Sequence, residues 1–221
     1  MSALDGSSGS PRFLVVLDAD STLIQNEVIE LLAEAAGSLD EVARITEEAM
    51  NGRLDFEESL RARTATLAGL GSEAFEQAGR RVVVTPGVPE MIEAVHAAGG
   101  RVGVVSGGFH EILDPLGEQL GLDHWRANRL ELADDRLTGG LVGPVIDAQA
   151  KAQTLREWAA DMRIPLRQTI AVGDGANDLT MMAIAGLAVS FNGKAPVRDE
   201  ANVVVDTIDM TTLLPLLGLR G

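Results

Sequence analysis

Phe13–Leu17 is a short apolar run that stops at Asp18, and comparable runs return at Arg101–Val105, Thr169–Val172, Leu187–Phe191 and Val203–Val205. Runs of this length, apolar on consecutive rather than alternate positions, predict strands covered on both faces, as in a parallel sheet. Glu90–Ala98 and Ala150–Asp161 have helical composition, and Leu179–Ala185 lies between two strand candidates. That alternation predicts an α/β fold. Three of the strands end in a polar or acidic cluster, and such sheets bind ligands at the carboxyl ends of their strands.

Segment 25–83 breaks the alternation. Glu27–Ala36, Leu39–Met50, Asp55–Ala68 and Ser72–Arg81 read as four helices separated by Gly37, Gly52 and the pair Gly69 and Gly71, with Ser38 and Ser72 as N-caps. The expected organisation is a flexible Gly/Ser-rich leader over 1–12, an α/β catalytic core over 13–24 and 84–221, and a four-helix cap over 25–83. A cap inserted there sits above the strand ends and closes over a substrate, excluding water. Between Arg129 and Val145, the turn signals Asp134-Asp135 and Gly139-Gly140 predict a small β-hairpin beside the sheet.

Composition narrows the functional classes. With 18 Lys and Arg against 33 Asp and Glu, the net charge is −15, which repels nucleic acid and anionic membrane surfaces. Aromatic residues are only 3% and Tyr is absent, so few platforms exist for stacking bases. An anionic small molecule must therefore recruit a cation. The absence of Cys removes disulfides, thiolate nucleophiles and cysteine-zinc sites, and fits a reducing compartment. His96, His110 and His124 lack the spacing of a metal site, so structural roles are expected for them. No apolar run reaches the ~18 residues that span a bilayer, and the start lacks the basic and apolar regions of a secretion signal. The expectation is a cytoplasmic protein, monomer or homodimer, with no nucleic-acid or membrane partner.

Four clusters carry candidate chemistry. Asp18-Ala19-Asp20-Ser21-Thr22 puts two carboxylates at i and i+2 where a strand ends, which suits one as nucleophile and the other as acid and then base. Taken alone, the pentapeptide also reads as an Asp-rich turn that caps a helix. Val172-Gly173-Asp174-Gly175-Ala176-Asn177-Asp178 adds two more carboxylates after another strand. Like charges ~4 Å apart repel by about 4 kcal/mol at an effective dielectric of 20, so four converging carboxylates demand a cation, and hard oxygen donors suggest Mg2+. Ser106-Gly107-Gly108 offers a hydroxyl and backbone N–H groups at an expected helix start, as phosphate sites do, although a plain strand-to-helix turn looks the same. Lys151, one of just two lysines, falls near a helix start where the helix dipole gives a cation nothing. Phosphate charge would supply its role; a solvated surface lysine is the alternative.

The order DADST, SGG, isolated lysine and GDGAND, with helices inserted after the first motif, resembles the haloacid dehalogenase superfamily from Phe13 nearly to the C-terminus. The resemblance implies a Rossmann-like parallel-sheet core with a helical cap inserted after the first strand. DADSTLIQNE, which contains Glu27, and MNGRLDFEESLRAR, which contains Met50, Phe56 and Arg63, are similar to members that act on O-phospho-L-serine. By that resemblance, Asp18 attacks phosphorus to form an aspartyl-phosphate, while Asp20 protonates the departing serine oxygen and then deprotonates water. Asp18, the Asp20 backbone carbonyl and Asp174 would bind Mg2+. Ser106, the Gly107 N–H and Lys151 would hold phosphoryl oxygens, Asn177 would hydrogen-bond the phosphate or bound substrate, and Asp178 would position Lys151 or a water on the metal. Glu27 would meet the ammonium and Arg63 the carboxylate, with Met50 and Phe56 shielding the reaction. The implied activity is phosphoserine hydrolysis, the last step of serine synthesis. Transfer of the phosphoryl group to homoserine uses the same nucleophile and acid/base pair. A receiver-like signalling module is the non-enzymatic alternative, and Asp20, suited to fast hydrolysis, argues against it.

Overall fold

A computed structural model describes residues 11–219. The expected leader, up to residue 10, lies outside the described residues; Arg12 already donates its N–H to Gly99 O at 2.9 Å. Seven strands form one sheet: Leu14–Leu17 (β1), Arg101–Phe109 (β2), His124–Ala133 (β3), Arg136–Val142 (β4), Thr169–Gly173 (β5), Leu187–Phe191 (β6) and Val203–Val205 (β7). Their spatial order is β4-β3-β2-β1-β5-β6-β7, parallel throughout except for the antiparallel β3–β4 pair.

The consecutive apolar positions of β1 serve both faces of the sheet. Val15 and Leu17 join a core with Met91, Ile92 and Val95 of Val88–Ala97, with Ile112 and Leu113 of His110–Leu120, and with the C-terminal turn Met210–Leu217. Leu14 and Val16 face the other way, onto Leu155 and Trp158 of Ala148–Asp161 and Met181 and Met182 of Leu179–Met182. Every side chain of β1 is removed from water, which is why the strand reads as an unbroken apolar run.

Nine α-helices occur among the described residues. Val28–Ala36 (α1), Leu39–Met50 (α2), Phe56–Ala65 (α3) and Glu73–Gly79 (α4) lie between β1 and β2; Val88–Ala97 is α5, His110–Leu120 α6, Ala148–Asp161 α7, Leu179–Met182 α8 and Ala195–Glu200 α9. Ser38 and Ser72 precede α2 and α4, but neither side chain caps its helix: Ser38 Oγ instead accepts a hydrogen bond from Thr66 Oγ1 at 3.1 Å. Among the inserted helices, a side-chain cap forms at Asp55, which accepts from Glu58 N at 2.8 Å while Glu58 Oε2 accepts from Asp55 N at 2.9 Å.

Two expectations about the strands are corrected. β2 runs on through Ser106-Gly107-Gly108 to Phe109, so the helix starts at His110 rather than at the serine; pairing of Phe109 with Asn128 of β3 extends the strand. The hairpin turn is at Asp134 and Asp135, both at positive φ (50° and 59°), as a tight right-twisting turn requires. Gly139 and Gly140 lie inside β4 instead, because α3 packs against that strand at Gly139.

Candidate active site

β1 lies between β2 and β5, so the residues following or ending these three strands meet at one edge of the sheet. The chain changes direction there, from β2 and β3 on one side of β1 to β5 and β6 on the other, which is where open α/β sheets form their crevice. Asp18 leaves β1 still held by the ladder, its N–H donating to Val172 O at 2.9 Å. Ala19–Leu23 then forms an irregular turn in which Ser21 adopts a left-handed φ of 58°. That conformation is uncommon for a residue with a Cβ. It lets Ser21 Oγ donate to Glu27 Oε1 at 2.8 Å, just before α1.

The centre of the site is an ion-pair cluster sealed from water. Lys151 Nζ, on the second turn of α7, lies 2.7 Å from Asp18 Oδ1 and 2.8 Å from Asp178 Oδ1. Lys151 and Asp178 have no exposed surface at all, which settles the two readings of that lysine in favour of an interior role. Asp18 Oδ1 also accepts from Ala19 N at 2.7 Å, and Asp178 Oδ2 accepts from Gly175 N at 3.1 Å. Burial alone would pull the ammonium down, but Asp178 and Asp18 outweigh it and hold Lys151 above its ordinary range. Burial and then repulsion from Asp178 push the Asp18 carboxyl up to about 7, against the pull of Lys151. Asp174 is pushed up to about 6 for the same two reasons, eased by Lys194.

Oxygens of Asp18, Asp174 and Asp178 lie within 4.8 Å of one another. One lysine cannot neutralise three carboxylates, and the upward shifts of Asp18 and Asp174 express that shortfall. Among the described residues, no hydrogen bond reaches Asp18 Oδ2 or the Asp174 carboxylate. Hard oxygen donors with free lone pairs and surplus negative charge fit a divalent cation, so this cluster can hold one.

Asp20 is placed differently. Its Oδ2 accepts a 3.4 Å hydrogen bond from Val28 N, and its buried Oδ1 has no partner. Burial, then Glu27 and Asp18, raise it well above the usual carboxylate range. A Cβ on Gly108 would lie 3.5 Å from both Asp20 oxygens and 3.1 Å from Ser106 Oγ, so the bare glycine leaves the space between acid and hydroxyl open. Ser106 Oγ accepts from Gly108 N at 2.8 Å. Asn177 is half-buried on the turn after β5.

From the inserted helices, Phe56 at the start of α3 reaches the same edge: a Cβ on Gly107 would sit 3.0 Å from its Cζ. Arg63 is half-buried, its Nε donating to Ser59 O at 3.3 Å. Burial lowers its pKa, while the charges of Glu27, Asp20 and Glu30 draw it upward. Met50 is not brought to the others; it ends α2 with 80% of its surface exposed.

A model of the haloacid dehalogenase-like hydrolases matches residues 15–183, a span that contains β1 from its second residue, β2, β5 and the whole cluster. The chain belongs to the haloacid dehalogenase-like hydrolases. Its α/β architecture, a Rossmann-type core with helices inserted after the first strand, is that family's. A phosphoserine phosphatase of Streptomyces coelicolor is 52% identical over 93% of the chain and 50% of its own length. The phosphoserine phosphatase SerB2 of Mycobacterium tuberculosis is 47% identical over 98% of the chain and 53% of its own length. The chain thus spans about half the length of these curated relatives. A solved phospho-aspartyl intermediate analogue of phosphoserine phosphatase superposes with a TM-score of 0.88 at 40% identity, covering 95% of this chain and 100% of the other.

Three neighbours of this site carry little signal of their role in the sequence. Asn128 of β3 donates from Nδ2 to Gly107 O at 2.8 Å and accepts Ile146 N on Oδ1 at 2.8 Å, bracing the strand that carries Ser106. Lys194 Nζ is 4.0 Å from Asp174 Oδ2 on a largely exposed side chain; its one signal was the scarcity of lysine. Ser21 sits inside the DADST motif, but nothing in the motif announces its bond to Glu27. The histidines are structural: His96 pairs with Asp123 at 2.7 Å, His110 with Asp114 at 2.6 Å, and His124 stacks on Trp158. Among the described residues, no helix is long and apolar enough to cross a membrane.

Proposed function

We propose that this chain is a cytoplasmic, Mg2+-dependent phosphatase that hydrolyses O-phospho-L-serine to L-serine and inorganic phosphate, closing the route of serine synthesis. The observation that carries the proposal is the contrast between two buried carboxylates at one strand end. Asp18 is paired with a buried lysine, whereas Asp20 keeps one oxygen unpartnered beside the bare backbone of Gly108. That is the division a covalent phosphatase needs between nucleophile and acid/base.

In the first half-reaction, Asp18 attacks phosphorus and the bond to the serine oxygen breaks. Asp20, whose raised pKa favours the protonated form, gives that oxygen its proton. In the second half, the Asp20 carboxylate takes a proton from water as it attacks the aspartyl-phosphate, which releases phosphate and restores both groups. Lys151, Ser106 Oγ and the Gly107 N–H take the phosphoryl oxygens, whose charge redistributes in the transition state, and Asn177 adds a hydrogen bond. Asp178 fixes the Lys151 ammonium. Held by Asp18, the Asp20 carbonyl and Asp174, Mg2+ would supply the positive charge that lets an anionic nucleophile approach an anionic ester.

At the serine end, Glu27 receives the ammonium and Arg63 the carboxylate, for which a guanidinium fork is the matching donor. Residues 25–83 act as the cap, with Phe56 excluding water over Gly107. Met50 reaches the substrate only if the end of α2 folds inward. The relatives described above support this choice of substrate. The test is phosphate release from L-phosphoserine, D-phosphoserine, phosphothreonine and para-nitrophenyl phosphate, with Mg2+ or EDTA and with or without homoserine. The proposal requires a strong, Mg2+-dependent preference for L-phosphoserine with water as acceptor. Aryl phosphate cleavage without that preference would remove the serine-end roles, and homoserine phosphate as product would make the chain a phosphotransferase.

A further inference from the structure

α3, which carries Phe56 and Arg63, is tied to the edge of the sheet as well as packed upon the core. Past its C-terminus the chain pairs with β4: Gly69 N donates to Leu137 O at 2.7 Å, Leu137 N to Leu70 O at 2.9 Å, and Ser72 N to Asp135 O at 2.9 Å. Arg136 Nη1 adds a bond to Gly69 O at 2.7 Å. Residues 69–72 therefore bridge to the edge strand, with Gly71 opposite Arg136 in an antiparallel bridge.

The fit at this junction is close. Gly139 of β4 has a φ of +88°, and a Cβ there would lie 3.0 Å from Ala65 Cα, 3.2 Å from Ala65 O and 3.3 Å from Ala68 Cβ. Those neighbours are backbone and a methyl fixed to it, which cannot turn aside as a long side chain can. Ala65 is two residues from Arg63, on the last turn of the same helix. At its other end, the ribbon is fastened to the phosphate strand through Asn128, which bonds Gly107 O and Ile146 N at 2.8 Å each.

We infer that the β3–β4 hairpin is a spacer that sets the separation between the Ser106–Gly107 strand and Arg63, and that Gly139 is a positioning residue for the length of the bound amino-acid ester. The inference rests on the phosphoserine reading of the site. A side chain at Gly139 pushes the C-terminal end of α3 away from the sheet, lifting Arg63 off a carboxylate whose phosphoryl end stays anchored. An aryl phosphate, with no carboxylate, does not register the change.

The test is Gly139→Ala in the full chain with Mg2+. The expected result is a KM for L-phosphoserine raised about fivefold or more, since displacements of a fraction of an ångström matter in a positioned site. kcat/KM for para-nitrophenyl phosphate stays within about twofold, because only uniform binding to the carboxylate has been lost. Gly140→Ala is the control on the same strand. Its Cβ meets the side-chain ends of Glu131 and Thr138, so both substrates should be handled as by the parent. Arg136→Ala removes the bond to Gly69 O without adding bulk and should raise the phosphoserine KM in the same sense by about twofold; it reads the effect if Gly139→Ala does not fold. Equal losses on both substrates in Gly139→Ala, or an unchanged phosphoserine KM in the folded variants, would overturn the inference. A parent chain that ignores phosphoserine would overturn the functional reading first and this inference with it.

Discussion

Replacing Lys151 with Met tests the interior ion pairs, because Met fills the stem of the lysine and removes only its charge. The ammonium lies 2.7 Å and 2.8 Å from carboxylate oxygens of Asp18 and Asp178, so each attraction is about 6 kcal/mol at an effective dielectric of 20. Most of that is offset by the cost, several kcal/mol, of taking an ammonium out of water. Breaking one side of such a buried arrangement nonetheless leaves uncompensated charge and typically costs about 3–5 kcal/mol. The sign of the pH dependence follows from Asp18. Its carboxyl titrates at about 7 in the folded chain against an ordinary 3.8. Between those values, the folded protein holds a proton that the unfolded chain has released, so stability falls as pH rises through that window. Lys151 opposes that shift, and its loss extends the window upward. Urea unfolding of Lys151→Met in EDTA should therefore show a loss of about 3–5 kcal/mol at pH 8 and a clearly smaller one at pH 5. A loss equal at the two pH values, or larger in acid, would refute the electrostatic reasoning.

Three further outcomes follow from the site. Asp20→Asn should slow turnover of L-phosphoserine by roughly 100-fold or more, a typical acid/base contribution, and near-normal kcat would remove Asp20 from that role. Arg63→Ala should raise the KM for L-phosphoserine far more than that for para-nitrophenyl phosphate; equal losses would mean that Arg63 does not read the carboxylate. Thr22 Oγ1 is buried with no partner, so Thr22→Val should melt at or above the parent temperature, whereas a loss above about 1 kcal/mol would expose a hydrogen bond the present geometry does not contain.

Legibility in the sequence followed the range of the interactions. β1 could be read because both of its faces are covered, which turns consecutive positions apolar, and the chemical motifs could be read because each is contiguous and lies at the carboxyl end of an apolar run. Lys151 stood out through rarity and through a position the helix dipole does not favour. Features made by distant segments were hidden. Ser106-Gly107-Gly108 has little strand propensity of its own and becomes strand where β2 meets Asn128 of β3. Gly139 and Gly140 look like a turn in isolation, yet Gly139 is required by the backbone of Ala65, 74 positions earlier. Ser38 resembled a helix cap, but Thr66 competes for its hydroxyl. α6 carries Pro115 within it, a residue that argues against a helix interior, while Ile112, Leu113 and Leu116 still fill the core at helical spacing. Met50 belongs to a readable motif, and its exposed position shows that a motif does not set the posture of a helix end.

The proposed mechanism turns on covalent phosphorylation of Asp18. The most direct measurement mixes the enzyme with L-phosphoserine labelled in the phosphoryl group, quenches in acid within one turnover, and locates the label on the digested chain. The expected product is an alkali- and hydroxylamine-labile acyl phosphate on the peptide containing Asp18, absent from Asp18→Asn and accumulating in Asp20→Asn. Label on another residue, or full turnover by Asp18→Asn with no labelled protein, would contradict it.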